Sequence, residues 1–190
     1  MNPFDQIRNA VNFWGFAMFV REAVERGAIH PETFVRRLRI DTNGEGLHFG
    51  QACNRQGLDD LSFNLMFGTL AVSVIQIDTA LDQAFGATTK RPEPPDELGA
   101  ARSIVCMLRC AFAHNPLVPI WEVRNPYYRR LFDVPSIHVA VDFSGLNGQT
   151  LVPNQFGGWE GFTRLALFCR DAANSVAKPK EAGDSSTAAT

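Results

Sequence analysis

The sequence has no short motif that is typical of a metal, nucleotide or nucleophile site. It contains no C-x-x-C pair, no glycine-rich phosphate-binding loop, no G-x-S-x-G nucleophile elbow and no internal repeat. The four cysteines are Cys53, Cys106, Cys110 and Cys169, and no histidine pair completes a zinc ligand set with them. We therefore expect neither a metal nor a cofactor.

The chain also lacks an excess of positive charge. Its 18 lysines and arginines are balanced by 20 aspartates and glutamates, so the formal net charge is −2. This balance excludes a protein whose whole surface attracts nucleic acid, and any contact with RNA must use a local cationic cleft. The first residues, MNPFDQIRNAV, lack the basic segment of a secretory signal. We expect a cytoplasmic protein with reduced thiols.

One uncharged stretch, Leu61 to Ile77, approaches the length of a membrane-spanning helix. It contains polar or small residues at Asn64, Gly68, Ser73 and Gln76, and it lacks flanking basic or aromatic anchors. A central core helix is therefore expected here, and no contact with a membrane.

Hydrophobic residues make up 45% of the chain, and their spacing is mostly helical. Four long helices are predicted: from Asn2-Pro3 to Gly27, from Leu58 to Phe85, from the N-cap Asp96 to an end between Ala113 and Asn115, and from Trp159 to Val176. A short helix is also predicted from Pro31 to Ile40.

One segment has the alternating pattern of a half-buried strand. Ile137, Val139, Val141 and Phe143 alternate with polar or small residues. Asn147-Gly148 then supplies a tight turn, and 149–152 can return as the partner strand. We predict a mainly α domain over 1–177 with a small β-hairpin at about 136–152, inserted before the last helix, and a flexible tail over 178–190.

The helix that begins at Asp96 carries an arginine and a histidine near its end. Pro116 cannot continue a helix, so His114 is expected at its C-terminus and Arg109 in its last turns. The negative end of the helix dipole favours a protonated histidine. The guanidinium of a nearby arginine is a fixed fork of donors that suits a phosphate.

The segment Arg109-Cys110-Ala111-Phe112-Ala113-His114 resembles the R-x4-6-H signature of the HEPN superfamily. Many members of that family are metal-independent ribonucleases of toxin, antiviral and RNA-processing systems, and others bind nucleotides or have lost catalysis. The resemblance is strongest in LRCAFAHN and extends loosely over the helical pattern to about Val176. The family often has a polar residue, commonly asparagine, after the arginine, and this chain has Cys110.

The resemblance implies a HEPN-like helical bundle and a ribonuclease site. His114 would be the general acid or base, and Arg109 would stabilise the charge on the phosphate. Five residues turn an ideal helix by 500°, so the two side chains lie about 140° apart. In the family two copies face each other across a dimer and build a composite cleft, which implies a homodimer. An antitoxin or a defence-system protein is a further implied partner.

Three other residues are candidate contacts to RNA. Asn115 could bind phosphate or base, and Arg102 lies two turns before Arg109 on the same helix face. Trp121 lies in an arginine-rich aromatic segment that could line one side of an RNA-binding cleft. Alternatively, this segment is a covering loop and the Trp121 ring belongs to the core.

The Arg–His pattern has two other interpretations. The domain could be a non-catalytic dimeric module that binds RNA, a nucleotide or a protein partner in the same groove. It could also be purely structural, with Arg109 paired to a carboxylate and His114 satisfying a carbonyl group.

Overall fold

A computed structural model of the chain describes residues 1–34, 38–42, 45–49, 54–87 and 95–177. These residues form four α-helices and two small antiparallel sheets. The elements are α1 (Pro3–Glu25), β1 (Leu38–Thr42), β2 (Glu45–Phe49), α2 (Arg55–Phe85), α3 (Glu97–Phe112), β3 (Leu131–Val134), β4 (Val139–Asp142) and α4 (Gly158–Ala177). The predicted class, mainly helical with a small hairpin before the last helix, is confirmed.

The helices begin where the sequence carries capping side chains. The Oδ1 atom of Asn2 accepts a hydrogen bond from the backbone N–H of Asp5 at 2.7 Å. Asp96 accepts one from Gly99 at the same distance at the start of α3. Each cap satisfies a backbone donor that has no partner within its helix, and this fixes the first residue of the helix.

Helices α1 and α2 run antiparallel. The hydroxyl of Ser73 donates to the carbonyl of Ala10 at 3.0 Å. Towards the other end of the pair, Arg21 donates to the carboxylate of Asp59 at 2.9 Å. A residue early in α1 therefore lies beside a late residue of α2.

Helix α4 closes the core against α1 and α2. Trp14 is 1% exposed, and its ring meets Phe162 edge-on at 5.4 Å between centroids. Its indole N–H donates to the Thr163 hydroxyl at 3.0 Å. This bond pairs the one polar atom of the Trp14 ring and lets the rest of it pack among apolar groups.

Helix α2 is the central helix of the bundle. By length and composition alone it could cross a bilayer, but half of its most apolar stretch is buried inside the protein. Leu70, Val74 and Ile77 have no exposed surface, and α1, α3 and α4 all pack against the helix.

The hairpin before α4 has a different partner strand from the predicted one. Val139–Asp142 pairs with the preceding Leu131–Val134, not with 149–152. A 3₁₀ turn at Pro135–Ile137 joins the two strands. His138 follows this turn in the left-handed conformation, with φ 52°, so β4 begins at Val139 and not at Ile137. The segment after Asn147-Gly148 returns instead to the chain that follows α3, where Thr150 bridges Ile120.

The predicted helix over Pro31 to Ile40 is also wrong. A 3₁₀ turn covers only Pro31–Phe34, and β1 and β2 then pair with Thr42 opposite Glu45. In the sequence, Asn-Gly at 43–44 is a signal that favours two strands over a helix in this part of the chain. The predicted tail at 178–190 lies outside the described residues.

Candidate active site at the end of helix α3

Only one side of the last turns of α3 reaches solvent. That side carries Cys106, Arg109, Cys110 and Ala113, whereas Ile104, Val105, Leu108, Ala111 and Phe112 are buried in the core. The helix ends with Ala113 as its C-cap, as Pro116 predicts. The Ile120 backbone N–H returns to donate to the carbonyl of Ala111 at 3.3 Å, so the following segment folds back over the helix end.

Arg109 is held by a buried carboxylate of α2. Its Nη1 atom lies 3.1 Å from Oδ2 of Asp78, whose side chain is 3% exposed while that of Arg109 is 49% exposed. The guanidinium is thus anchored on one side and open to solvent on the other. A phosphate could reach the open side without displacing the carboxylate.

The charge of Arg109 is secure in this environment. Burial works to lower the pKa of its guanidinium, but the carboxylate of Asp78 and the thiols of Cys110 and Cys106 outweigh that effect. The pKa of Arg109 is therefore raised above its already high ordinary value.

His114 lies just past the helix end and has a carboxylate partner of its own. Its Nε2 atom is 3.1 Å from Oε1 of Glu122, and its side chain is 75% exposed. Arg124 lies 3.3 Å from the other oxygen of Glu122. With Nε2 facing the carboxylate, the Nδ1 atom of His114 is the ring nitrogen left to exchange a proton with a ligand.

The Asp78–Arg109 and His114–Glu122 pairs are grouped together because one charge from each pair affects the pKa of the Cys110 thiol. The charge of Arg109 lowers the pKa of that thiol and the charge of Glu122 raises it. Cys110 is thus affected by a charge from each pair, and we call Asp78, Arg109, Cys110, His114 and Glu122 the α3-end cluster.

Asn115 contributes mainly to the turn that follows the helix. Its side-chain oxygen accepts hydrogen bonds from the backbone N–H groups of Leu117 at 3.0 Å and Val118 at 3.1 Å. Only its amide nitrogen can then donate to a ligand. Asn115 also borders a cavity of about 140 Å³, with Ala111, His114, Val118, Ile120 and Glu122 as the other lining residues.

Arg102 does not extend the cationic surface, contrary to the expectation from its helix face. Its side chain is 9% exposed and its Nη2 atom lies 3.1 Å from Oδ1 of Asp82. The same atom donates to the carbonyl of Gly86, which follows the last residue of α2. Arg102 thus fastens α3 to the C-terminal end of α2, where a cation is favourable.

Trp121 is a core residue and has no free face on which a base could stack. Its ring is fully buried, meets Phe143 edge-on at 5.2 Å and donates its indole N–H to Gln155 at 2.7 Å. Of the two interpretations of its segment, the structure supports a covering loop with inward rings. The charges that the segment brings to the site are the partly exposed Glu122 and the exposed Arg124.

Sequence reasoning missed Asp78 and Glu122. Asp78 did have a signal, since it is the first charged residue after the long uncharged run of α2, and a carboxylate on a buried helix needs a cation. No feature of the sequence indicated that Glu122 belongs to the site. It reaches His114 only because the loop after Pro116 folds back over the helix end.

No group of three or more histidine, cysteine, aspartate or glutamate side chains is placed to hold a metal ion within the described ranges. A larger cavity, of about 590 Å³, lies away from this cluster, between α1 and α2 beside Trp159. Comparison of the chain with protein-family models, curated proteins and solved structures found no match.

The geometry predicts that the two candidate residues differ in their effect on stability. Arg109→Ala leaves the buried Asp78 carboxylate without this cation and should lower the free energy of unfolding by roughly 1–3 kcal/mol. His114→Ala removes an exposed side chain and should change it by less than about 0.5 kcal/mol. Urea unfolding followed by circular dichroism measures both, with Arg109→Lys as the variant that retains the charge. Equal stability of Arg109→Ala and the wild type would contradict a structural role for the Asp78 pair.

Proposed function

We propose that this chain is a HEPN-like endoribonuclease that cleaves RNA without a metal ion at the α3-end cluster. The observation that carries the proposal is the pair of carboxylate-held groups, Arg109 on Asp78 and His114 on Glu122, at one solvent-open helix end. One group is a permanent cation suited to phosphate, and the other is an imidazole, whose ring nitrogens can accept and donate a proton.

These two groups suffice for RNA because RNA carries its own nucleophile. His114 would take the proton of the ribose 2′-hydroxyl through Nδ1, or return a proton to the leaving 5′-oxygen. The exposed edge of Arg109 would bind the phosphate as negative charge grows on its oxygens. The products would be a 2′,3′-cyclic phosphate and a 5′-hydroxyl.

Glu122 would act as a positioning residue. Its carboxylate holds Nε2 of His114 at 3.1 Å and would stabilise the imidazolium that forms after proton transfer. Arg124, on the same carboxylate, adds a second exposed cation beside the site.

We also propose that two copies of the chain associate through the outer face of α2. This face consists of Leu61, Leu65, Gly68, Val72 and Ile75, spaced alternately by four and three residues. The four side chains larger than glycine are 40–59% exposed, and a Cβ added at Gly68 would meet nothing within 4 Å. On α1, Phe13 and Phe16 add exposed apolar surface. Such a row is typical of a helix seam that packs on another helix.

The pattern of this face suits a two-fold axis at Gly68. In an antiparallel pair of α2 helices, Leu61 would lie opposite Ile75 of the second copy and Leu65 opposite its Val72, which is the self-complementarity that a closed dimer needs. Asp78, the anchor of Arg109, follows Ile75 by less than one helical turn. The dimer would therefore place one α3-end cluster along each border of the interface.

The catalytic proposal predicts loss of RNA cleavage on removal of the histidine. Wild-type protein incubated with mixed RNA in EDTA should yield cyclic-phosphate and 5′-hydroxyl ends, and His114→Ala should lower the rate at least about 100-fold, the usual contribution of general acid–base catalysis. His30→Ala, at another exposed histidine, should cleave at the wild-type rate.

Cleavage by His114→Ala at the wild-type rate would contradict the assignment. RNA binding without cleavage by the wild type, undiminished in His114→Ala, would instead favour the non-catalytic binding module. Circular dichroism of each variant checks that the fold is intact.

The dimer proposal predicts a change of mass in solution. The wild type should sediment as a dimer at micromolar concentration, and Leu65→Glu should be monomeric because it places two carboxylates in an apolar seam. Leu131→Glu is the matched control, since Leu131 is 57% exposed but lies on the β3–β4 hairpin. A monomeric wild type, or a dimeric Leu65→Glu, would contradict the interface.

A further inference from the structure

The cavity between α1 and α2 has an apolar base. Its volume is about 590 Å³, a size in which proteins commonly bind small organic molecules. Met66 of α2 is only 1% exposed, and Met18 of α1 and Trp159 of α4 are half-buried. Methionine side chains are flexible and polarizable, so they adapt to apolar groups of different shape.

The rim of the cavity carries aromatic rings that reach solvent. Phe19 is 68% exposed and Phe63 is 44% exposed. With Trp159 they bring three rings from three helices to one cavity. The faces of aromatic rings carry partial negative charge and attract cations, so the rim favours a ligand with a positive group.

The polar wall of the cavity is the last part of α1, where the positive charge of Arg21 is already used within the protein. Its Nε atom donates to Glu25 at 2.7 Å, and its Nη1 atom donates to Asp59 at 2.9 Å and to Ser62 at 3.0 Å. The side chain of Arg21 is 18% exposed. Arg21 therefore joins α1 to α2 and leaves little of its guanidinium for an anionic ligand.

The carboxylates of Glu22 and Glu25 remain open. Their side chains are 52% and 55% exposed, and each binds an arginine through Oε1 only, Glu22 with Arg26 and Glu25 with Arg21. Within the described residues, neither Oε2 atom has a hydrogen bond. Counted with Asp59, three carboxylates face two guanidinium groups, so this wall keeps one negative charge.

Arg55 is a further cation near this end of α1. It donates to the carbonyl groups of Val24 and Glu25 and does not line the cavity. There it offsets the negative end of the helix dipole, and the side-chain oxygens that face the cavity stay open.

We propose that this cavity binds an amphipathic organic cation, a small molecule with an apolar body and a primary ammonium group. The body would pack on Met18, Met66 and Trp159. The ammonium group would lie at the rim and donate hydrogen bonds to the open oxygens of Glu22 and Glu25. A primary ammonium has three N–H donors and can therefore bind both carboxylates at once.

This site is independent of the proposed dimer and of RNA cleavage. Phe63 is two residues from both Leu61 and Leu65, which places it about 160° from each around α2. The cavity thus opens on the opposite side of α2 from the dimer face, and a dimer leaves it accessible. Binding of the cation can be measured whether or not the protein cleaves RNA.

The sign of the head group is tested with three molecules that share a phenyl ring on a four-carbon chain. Phenylbutylamine is positive at neutral pH, phenylbutanol is neutral and phenylbutyrate is negative. Each would be titrated into the full-length protein in a calorimeter. The amine should bind at least about 10-fold more tightly than the carboxylate, because its charge attracts the carboxylates of the wall. Tighter or equal binding of phenylbutyrate, or no saturable binding of the amine, would overturn the proposal.

A variant of Gly15 tests the location. Gly15 lines the cavity from α1, and a Cβ added there would meet nothing within 4 Å. Leucine favours a helix more than glycine does, so Gly15→Leu should fold and occupy part of the cavity. It should abolish binding of both the amine and the alcohol, whereas Gly15→Ala should retain it. Wild-type affinity in Gly15→Leu would contradict this location.

The two carboxylates are tested by neutral replacement. Glu22→Gln combined with Glu25→Gln should weaken binding of the amine about 10-fold and leave that of the uncharged alcohol unchanged. Asp171→Asn removes a carboxylate that is 66% exposed outside the cavity and should change neither affinity. Circular dichroism checks the fold of each variant. An unchanged affinity for the amine in the double variant, or an equal loss for the alcohol, would overturn the role of the carboxylates.

Discussion

The site depends on one buried carboxylate. Asp78 lies on the buried side of α2, in the C-terminal third of the helix, with its side chain 3% exposed, and an ionised carboxylate there is costly unless cations and hydrogen-bond donors surround it. Arg109 provides that cation from α3 at 3.1 Å. The pair joins the two helices and fixes the guanidinium with one edge facing solvent. Arg102 and Asp82 form a second pair between the same helices, two turns before Arg109 on α3 and one turn after Asp78 on α2. There the arginine is buried, and it only fastens the helices together.

The packing of α3 and the path of the chain after it explain why the candidate site is at the end of this helix. The buried face of α3 includes Ile104, Leu108 and Phe112, so only the side that carries Arg109 and Cys110 remains open. Beyond the helix end, the chain folds back with Ile120 bonded to Ala111 and brings Glu122 to His114. A histidine and an arginine five residues apart thus acquire separate carboxylate partners from distant parts of the sequence. Cys110 lies between them in the sequence, and the charges of Arg109 and Glu122 both affect the pKa of its thiol.

The elements governed by local interactions could be predicted from the sequence. The caps at Asn2 and Asp96, the stop before Pro116 and the long apolar spacing of α2 act within one or two turns, and all four long helices are confirmed within a few residues. Strand pairing could not be predicted in the same way. The turn at Asn147-Gly148 suggested a local hairpin, but β4 pairs upstream through the turn at Pro135–Ile137.

In the candidate site, too, features set by nearby residues could be predicted from the sequence, and contacts with distant residues could not. Arg109 and His114 could be placed near the helix end from the sequence, because a proline marks that end. Their partners could not, since Asp78 is 31 residues before Arg109 and Glu122 comes from a loop of irregular path. Helix periodicity placed Arg102 on the face of Arg109, but Asp82 and the end of α2 draw it into the bundle. From the sequence, the ring of Trp121 could have been either a surface on which a base stacks or a part of the core. The choice could not be made locally, because its hydrogen-bond partner Gln155 lies 34 residues away.

The proposed function requires Arg109 and His114 to contact the same phosphodiester linkage of RNA, Arg109 at the phosphate and His114 at an adjacent oxygen. The most direct test is to titrate an RNA oligonucleotide whose 2′-hydroxyl groups are methylated, and which therefore cannot be cleaved, into the protein. The imidazole resonances of the four histidines would be followed by NMR, with the His114 signal assigned by its loss in His114→Ala. The account predicts a saturable shift of the His114 resonance that disappears in Arg109→Gln while that variant remains folded. An unchanged His114 resonance at saturating oligonucleotide, or the same shift in Arg109→Gln, would contradict it.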